Sequence, residues 1–335
     1  MTSPTRLTAL SLSLLLIACG GDADEPDTSA DTSGGEAVVV APEVATGPVR
    51  SYVAEDAAVT MRLDMTRVRA SAVSADIASL VRAYPAWQQL LGSSGIDPVR
   101  DFDRVLVTSA TTATDSGTML IVHNLTNERV REAVLAMAVD RGARPEWRQE
   151  DGFDVVDWPA ETDPPRVVVL TGAHELVVTT TAELPGILAI AHDHRLRRQA
   201  DEVVEPALAL EDGVIAMVHA TQVSERMAAR IEHPPQGFDL ELRDAPGDGE
   251  EDRMTIAIRG GYADAAAAEA ARAWAVQQRD FYAGQMLVRA VGLDRALRDA
   301  QITAQDSDLV IDASFTEEEV QRVLGLLAFA QIGGS

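Results

Sequence analysis

Lysine is absent from this 335-residue chain, and all 28 basic residues are arginine. A Schiff-base lysine, a pyridoxal attachment point and the lysine of a phosphate-binding P-loop are therefore excluded. Cysteine occurs once, at position 19, so no disulfide can form within the chain. Aromatic residues make up only 4%, which leaves Leu, Val, Ile and Ala to fill the core. Positive charge is also scarce, with 28 basic residues against 53 acidic ones and a net charge of −25. A nucleic-acid binder needs a basic face to neutralise phosphates, so neither DNA nor RNA is expected as a partner. The same field opposes adsorption to anionic lipid, and any membrane attachment must be covalent.

The N-terminus supplies such an attachment. Met1 to Ala18 carries one positive charge, Arg6, followed by an apolar stretch from Leu7 to Ala18. That stretch is shorter than the ~20 apolar residues a membrane-spanning helix needs, and its order fits a secretory signal peptide, residues 1–18. It closes on Leu16-Ile17-Ala18-Cys19, which resembles the lipobox of bacterial lipoproteins. The resemblance implies diacylglyceryl transfer to the Cys19 thiol, cleavage before it and acylation of the new amino group, palmitate being a typical chain. Each buried CH₂ contributes ~0.8 kcal/mol, so two or three chains anchor the protein almost permanently. Gly20 stands where an Asp would be associated with inner-membrane retention, which points to the outer membrane of a Gram-negative bacterium. The resemblance concerns targeting alone and implies no activity. A lipidated Cys19 leaves the mature domain without a cysteine nucleophile.

Residues 19–50 read as the lipidated Cys and a disordered acidic tether, rich in Asp, Glu, Ser, Thr, Gly and Pro with little apolar surface to offset ordering entropy. A flexible chain of that length spans ~30 Å and holds the domain off the bilayer.

Beyond it, β runs alternate with helical periods. Val59 to Leu63 alternates as a strand, Ile77 to Tyr84 has 3.6 spacing, and Pro85 breaks that helix before Gly92 and Gly95 end a second one. Further strands are predicted over 104–109, 118–122, 153–156, 167–170 and 176–180, with helices carrying Val130, Val134 and Met137, and then Leu184, Ile187 and Leu188. From Gly213 the order of elements repeats in degraded form, with strands over 215–218, 254–258 and 309–313. A long helix places Trp274, Phe281 and Val288 at seven-residue spacing, and a Thr316/Glu319 capping box opens the last helix. The expected fold is α+β, with antiparallel sheets carrying helices on one face and two degenerate repeated halves, 51–195 and 213–335, joined by a connecting segment, 196–212. Two packed copies would enclose a groove, the expected place for a ligand.

The residues that could carry chemistry each have a plainer role. His192-Asp193-His194 could approach one zinc if extended, but at a helix C-terminus these residues and Arg195, Arg197 and Arg198 offset the macrodipole. Asp101 and Asp103 flank Phe102 before a strand as turn acids, and the run from Asp248 to Asp252 lacks calcium-loop spacing. Ser94 lies at a helix end, outside any Gly-x-Ser-x-Gly elbow. Trp87, Trp147, Trp158 and Trp274 read as core, and His123, His174 and His219 lie in or beside strands.

No catalytic, cofactor-binding or metal residue is therefore assigned, no cofactor is implied, and Cys19 is the single assigned site. The favoured function is a membrane-anchored cell-envelope lipoprotein with a non-catalytic binding or scaffolding domain, with an envelope protein in the periplasm as the expected partner. The sequence leaves an enzyme undecided, and the alternatives are a periplasmic hydrolase using Asp and His residues or a carrier of lipid or apolar ligand. From the tether composition, mild proteolysis of the full chain is expected to release a folded fragment beginning near Ser51. N-terminal sequencing of the fragment checks this, and slow amide exchange through Asp22 to Glu43 would contradict it.

Overall fold

A computed structural model describes residues 51–323 apart from residues 55, 76, 79–90, 113–116, 159–163, 201–207 and 246–252. Cys19, the tether, Trp87 and the acidic run from Asp248 to Asp252 lie outside the described residues. No described helix is long and apolar enough to cross a membrane.

The chain is α+β. Its described strands form one twelve-stranded antiparallel sheet: β1 (Val59–Asp64), β2 (Phe102–Ser109), β3 (Thr118–His123), β4 (Arg148–Glu150), β5 (Phe153–Asp157), β6 (Arg166–Gly172), β7 (Glu175–Thr180), β8 (Val214–Ala220), β9 (Gly237–Ala245), β10 (Arg253–Gly261), β11 (Gln301–Gln305) and β12 (Asp308–Thr316). The spatial order is β11-β12-β10-β9-β8-β1-β2-β3-β7-β6-β5-β4. The run β1-β2-β3-β7-β6 thus has the same order as β8-β9-β10-β12-β11, and the β4–β5 hairpin extends the first run outward. The two runs meet edge to edge, β1 pairing with β8 from Val59↔Ala220 to Leu63↔Ala216. The expectation of two copies packed over a groove is corrected accordingly: the strand edges of β1 and β8 satisfy each other's backbone groups, and the halves share a sheet.

One apolar row sets the register. Val156, Val168, Val178, Met119, Val107, Met61, Val218, Leu240, Ile258, Ile311 and Ile302 are successive cross-strand partners from β5 to β11. Directly paired residues share a face, so this row defines the front of the sheet. Helices cover it: α1 (Met65–Ala70) and α3 (Asn127–Asp140) in the first half, α5 (Glu225–Ala228) near the joint and α6 (Ala265–Gly284) in the second. Asp64 caps α1 by accepting from the amides of Thr66 and Arg67, and the Thr126 hydroxyl caps α3. The short α2 (Pro98–Asp101) opens with Pro at its first turn under an Asp97 cap. After α6 come α7 (Met286–Ala290) and α8 (Asp294–Asp299). The predicted capping box is formed, Glu319 accepting from the Thr316 amide and Thr316 from the Glu319 amide, with residues 317–323 helical.

Two details depart from the sequence reading. First, α4 (Leu184–Gln199) lies on the back, so helices cover both faces of the first half. The reason is the pattern of β6 and β7: Val168, Leu170 and Val178 pack in the front core while Val167, Val169 and Val177 pack with Leu184, Ile187 and Leu188 behind. Strands apolar on both sides must be covered on both. Second, the buried face of α6 is made of Ala268, Ala271, Ala275 and Ala283, and Phe281 is exposed. Small side chains let the helix lie close to Leu309 and Ile311, whereas Gln285 ends the helix before Val288.

Leu240 is 2% exposed in the apolar row. Leu240→Ala is expected to cost about 3 kcal/mol in urea unfolding, while Asp312→Ala, exposed on the opposite face of β12, should shift stability by no more than about 0.5 kcal/mol.

Candidate ligand cleft

An open cleft of about 440 Å³ lies where the C-terminal half of α4 meets two strand turns. The first turn, between β4 and β5, consists of Asp151 and Gly152, both with positive φ (49° and 77°). This Asp-Gly pair suits a two-residue hairpin whose twist matches the flanking strands. The second turn joins β6 to β7 at Gly172 and brings Glu175 under α4.

Arg195 and Arg198, three residues apart on α4, reach these turns. The Arg195 guanidinium stacks on the Phe153 ring at 3.6 Å and donates to the Gly152 carbonyl at 3.0 Å. Arg198 donates to Glu175 Oε2 at 2.9 Å. The Glu175 carboxylate is buried and also accepts from the Thr171 hydroxyl at 2.8 Å and from the Tyr52 hydroxyl at 3.3 Å. Burial, reinforced by the Glu175 charge, pushes the Tyr52 phenol well above its ordinary value, so Tyr52 serves as a donor. On the other wall Asp154 is held by Arg131 and Gln149. Asn127, at the start of α3, completes the rim. The chemistry on offer is polar and cationic: two guanidiniums and side-chain amides over an apolar floor of Phe153 and Leu170.

Most residues singled out in the sequence lie elsewhere, in structural roles. α4 runs to Gln199, so His192, Asp193 and His194 sit within it and not at its end. Successive residues turn by about 100°, which leaves His192 exposed and turns Asp193 and His194 inward. Asp193 pairs with Arg197 at 3.1 Å, and the His194 ring meets the Tyr52 ring edge-on at 5.2 Å. The solvated-cap reading is thereby corrected for Asp193, His194 and Arg197, all of which are buried. Asp101 and Asp103 do not share a proton, because each has its own arginine: Arg100 binds Asp101 at 2.6 and 2.7 Å, and Arg69 binds Asp103 at 2.7 Å. Burial pushes the Asp101 carboxyl up, but the Arg100 bonds and the Asp97 amide hold it below its ordinary value. The Ser94 hydroxyl accepts from the Ile96 amide at the helix end. Trp147 and Trp158 pack against the front core and Trp274 against the α6 cluster.

Of the three strand histidines, His123 and His174 meet edge-on with ring centroids 6.1 Å apart, and His219 lies apart from them. His219 pairs with Asp239 at 2.6 Å on an exposed stretch of the sheet, and His174 binds the Leu125 carbonyl at 3.2 Å from an exposed turn. His123 is 1% exposed. Among the described residues no group of three or more His, Cys, Asp or Glu is placed to hold a metal. Arg195, Arg198 and Glu175 were visible in the sequence only as helix-end charges and a strand residue, and the arginine spacing was the one available signal.

No family model matches the chain, and no curated protein matches it. Among solved structures, crystal form I of TP0453 overlays with a TM-score of 0.44 at 10% identity, covering 84% of this chain and 98% of that one.

Burial holds the His123 imidazole below its ordinary value, against the opposing pull of the Leu125 carbonyl. Its folded pKa is thus below the unfolded one, so the unfolded state binds the extra proton first and stability falls as pH drops below about 6.5. The slope from this group can reach about 1.4 kcal/mol per pH unit. Urea midpoints between pH 7.5 and 5 should fall in the wild type and fall less in His123→Leu.

Proposed function

We propose that the chain is the precursor of an exported lipoprotein, carried to the cell envelope by its signal peptide and anchored through lipid on Cys19, with a folded domain that acts by binding and not by catalysis. The observation that carries this reading is the apolar stretch closing on Leu16-Ile17-Ala18-Cys19, with the chain's one cysteine at the position that such lipidation modifies. The net charge of −25 supports a covalent attachment, since the surface field repels anionic lipid. The acidic stretch after Cys19 supports a domain held away from the bilayer, facing an envelope protein or a soluble ligand. Gly20 in place of Asp favours the outer membrane. The polar cleft beside α4 is the concave feature that supports a binding role.

Radiolabelled palmitate supplied to cells expressing the full chain should enter the wild-type protein and not Cys19→Ser, and membrane fractionation should place the label in the outer membrane. Label persisting in Cys19→Ser would remove the anchoring claim.

A further inference from the structure

We infer that the cleft beside α4 binds a small dianionic oxyanion, a phosphate monoester or a dicarboxylate, held between the guanidiniums of Arg195 and Arg198. The inference deepens the binding role proposed above and rests on it, but it does not depend on the lipid anchor.

Four features of the cleft lead to this ligand class. Arg195 and Arg198 are one helical turn apart and face the same open space, so their forks can close on one ligand from the same side. Each is positioned by a single bond through Nη2, to the Gly152 carbonyl and to Glu175, which among the described residues leaves Nε and Nη1 of both forks for a ligand. A guanidinium offers five donors in a plane that matches carboxylate and phosphate oxygens two at a time. Stacking on Phe153 fixes the plane of Arg195 in advance, lowering the ordering cost of binding.

The turns leave room for these forks. A Cβ on Gly152 would stand 3.2 Å from Arg195 Nη1, and one on Gly172 would stand 3.6 Å from Arg198 Nη1. Charge points the same way. In a chain of net charge −25, Arg195 and Arg198 both line the cleft, and of the acids around it Asp154 and Glu175 are already bonded to arginine, while Asp151 stands in the β4–β5 turn. A neutral sugar or an alkyl chain would leave the forks unmatched, whereas a dianion offers each an oxygen pair. A volume of about 440 Å³ suits a small molecule.

The test is isothermal titration of the full-length protein in detergent micelles at low salt, with inorganic phosphate, glycerol 3-phosphate and succinate as probes and glucose as the neutral control. Saturable binding of at least one anion and none of glucose is expected; preference for the phosphates or for succinate tells which source of the oxyanion the site takes. Arg195→Gln and Arg198→Gln should each weaken that binding about ten-fold, as loss of a charge-assisted fork does. Glu175→Gln should strengthen it several-fold, because Arg198 is released from its carboxylate, a gain that a purely structural role for these residues would not produce. Absence of saturable binding by all three anions would overturn the inference, as would unchanged affinity in an Arg195→Gln/Arg198→Gln protein with wild-type circular dichroism. If that double variant fails to fold, unchanged or weaker binding in folded Glu175→Gln does the same. Palmitate labelling of the same preparation separates the outcomes: labelled protein that binds no oxyanion defeats this inference and leaves the anchoring proposal standing.

Discussion

The apolar row that crosses the sheet from Val156 to Ile302 ties the molecule together, and its centre is the pairing of Met61 with Val218. A strand slipped by one residue would turn its whole apolar set to the other face, so each partner in the row constrains the next. At the centre, β1 and β8 would otherwise each present a bare edge of backbone donors and acceptors. Met61 packs in both the front core of the first half and the cluster around Val218, Phe238 and Leu240, so the two cores are continuous through it. Arg67 reinforces the joint, donating to the Val214 carbonyl at 2.7 Å from α1. On the other side of β8 the β9 backbone also approaches closely: a Cβ on Gly237 would lie 2.5 Å from the Ala220 carbonyl oxygen.

The halves share a strand order but differ in what they do with the back of the sheet. In the first half β6 and β7 are apolar on both sides, and α4 with Tyr52 and Leu208 forms a third layer. In the second half the residues behind the apolar row include His219, Asp239, Glu241, Arg259 and Asp312, which need no cover. A helix over the back creates a rim where its C-terminal turns overhang the strand ends, and the cleft forms at that rim. The asymmetry of two strand sequences therefore decides where the molecule has a concave polar surface.

Burying Glu175 beneath α4 has a consequence for that surface. A lone buried carboxylate is costly, and here Arg198, Thr171 and Tyr52 surround it with donors. The arrangement holds Arg198 at the cleft edge, while the Asp-Gly turn and Phe153 hold Arg195 beside it. Groups that stabilise the back layer thus also orient the two forks.

Much of the fold was legible where local pattern and burial agree. Alternation over Val59 to Leu63, the continuous run Val167 to Leu170 and the Thr316/Glu319 box each reflect an interaction complete within a few residues. β9 carries a local signal of the same kind, alternating through Phe238, Leu240 and Leu242; β11 and β4 are short edge strands whose residues carry almost no signal, because only their neighbours stabilise them. Of the seven-residue series on the long helix, Trp274 packs in the cluster with Ala271 and Ala275, whereas Phe281 is exposed and Val288 lies beyond the helix end, since close packing of α6 selects alanine over bulk. By itself the sequence determined the chemistry it excludes, the α+β class and the order of the elements whose apolar pattern is local, all properties of composition and of near neighbours. Tertiary structure alone decided that the halves join edge to edge, that α4 takes the back face, and that Arg195 and Arg198 meet turns 43 and 23 residues away at Gly152 and Glu175. Those outcomes depend on which strand edges and apolar faces find each other across long stretches of chain, and no local pattern records that choice.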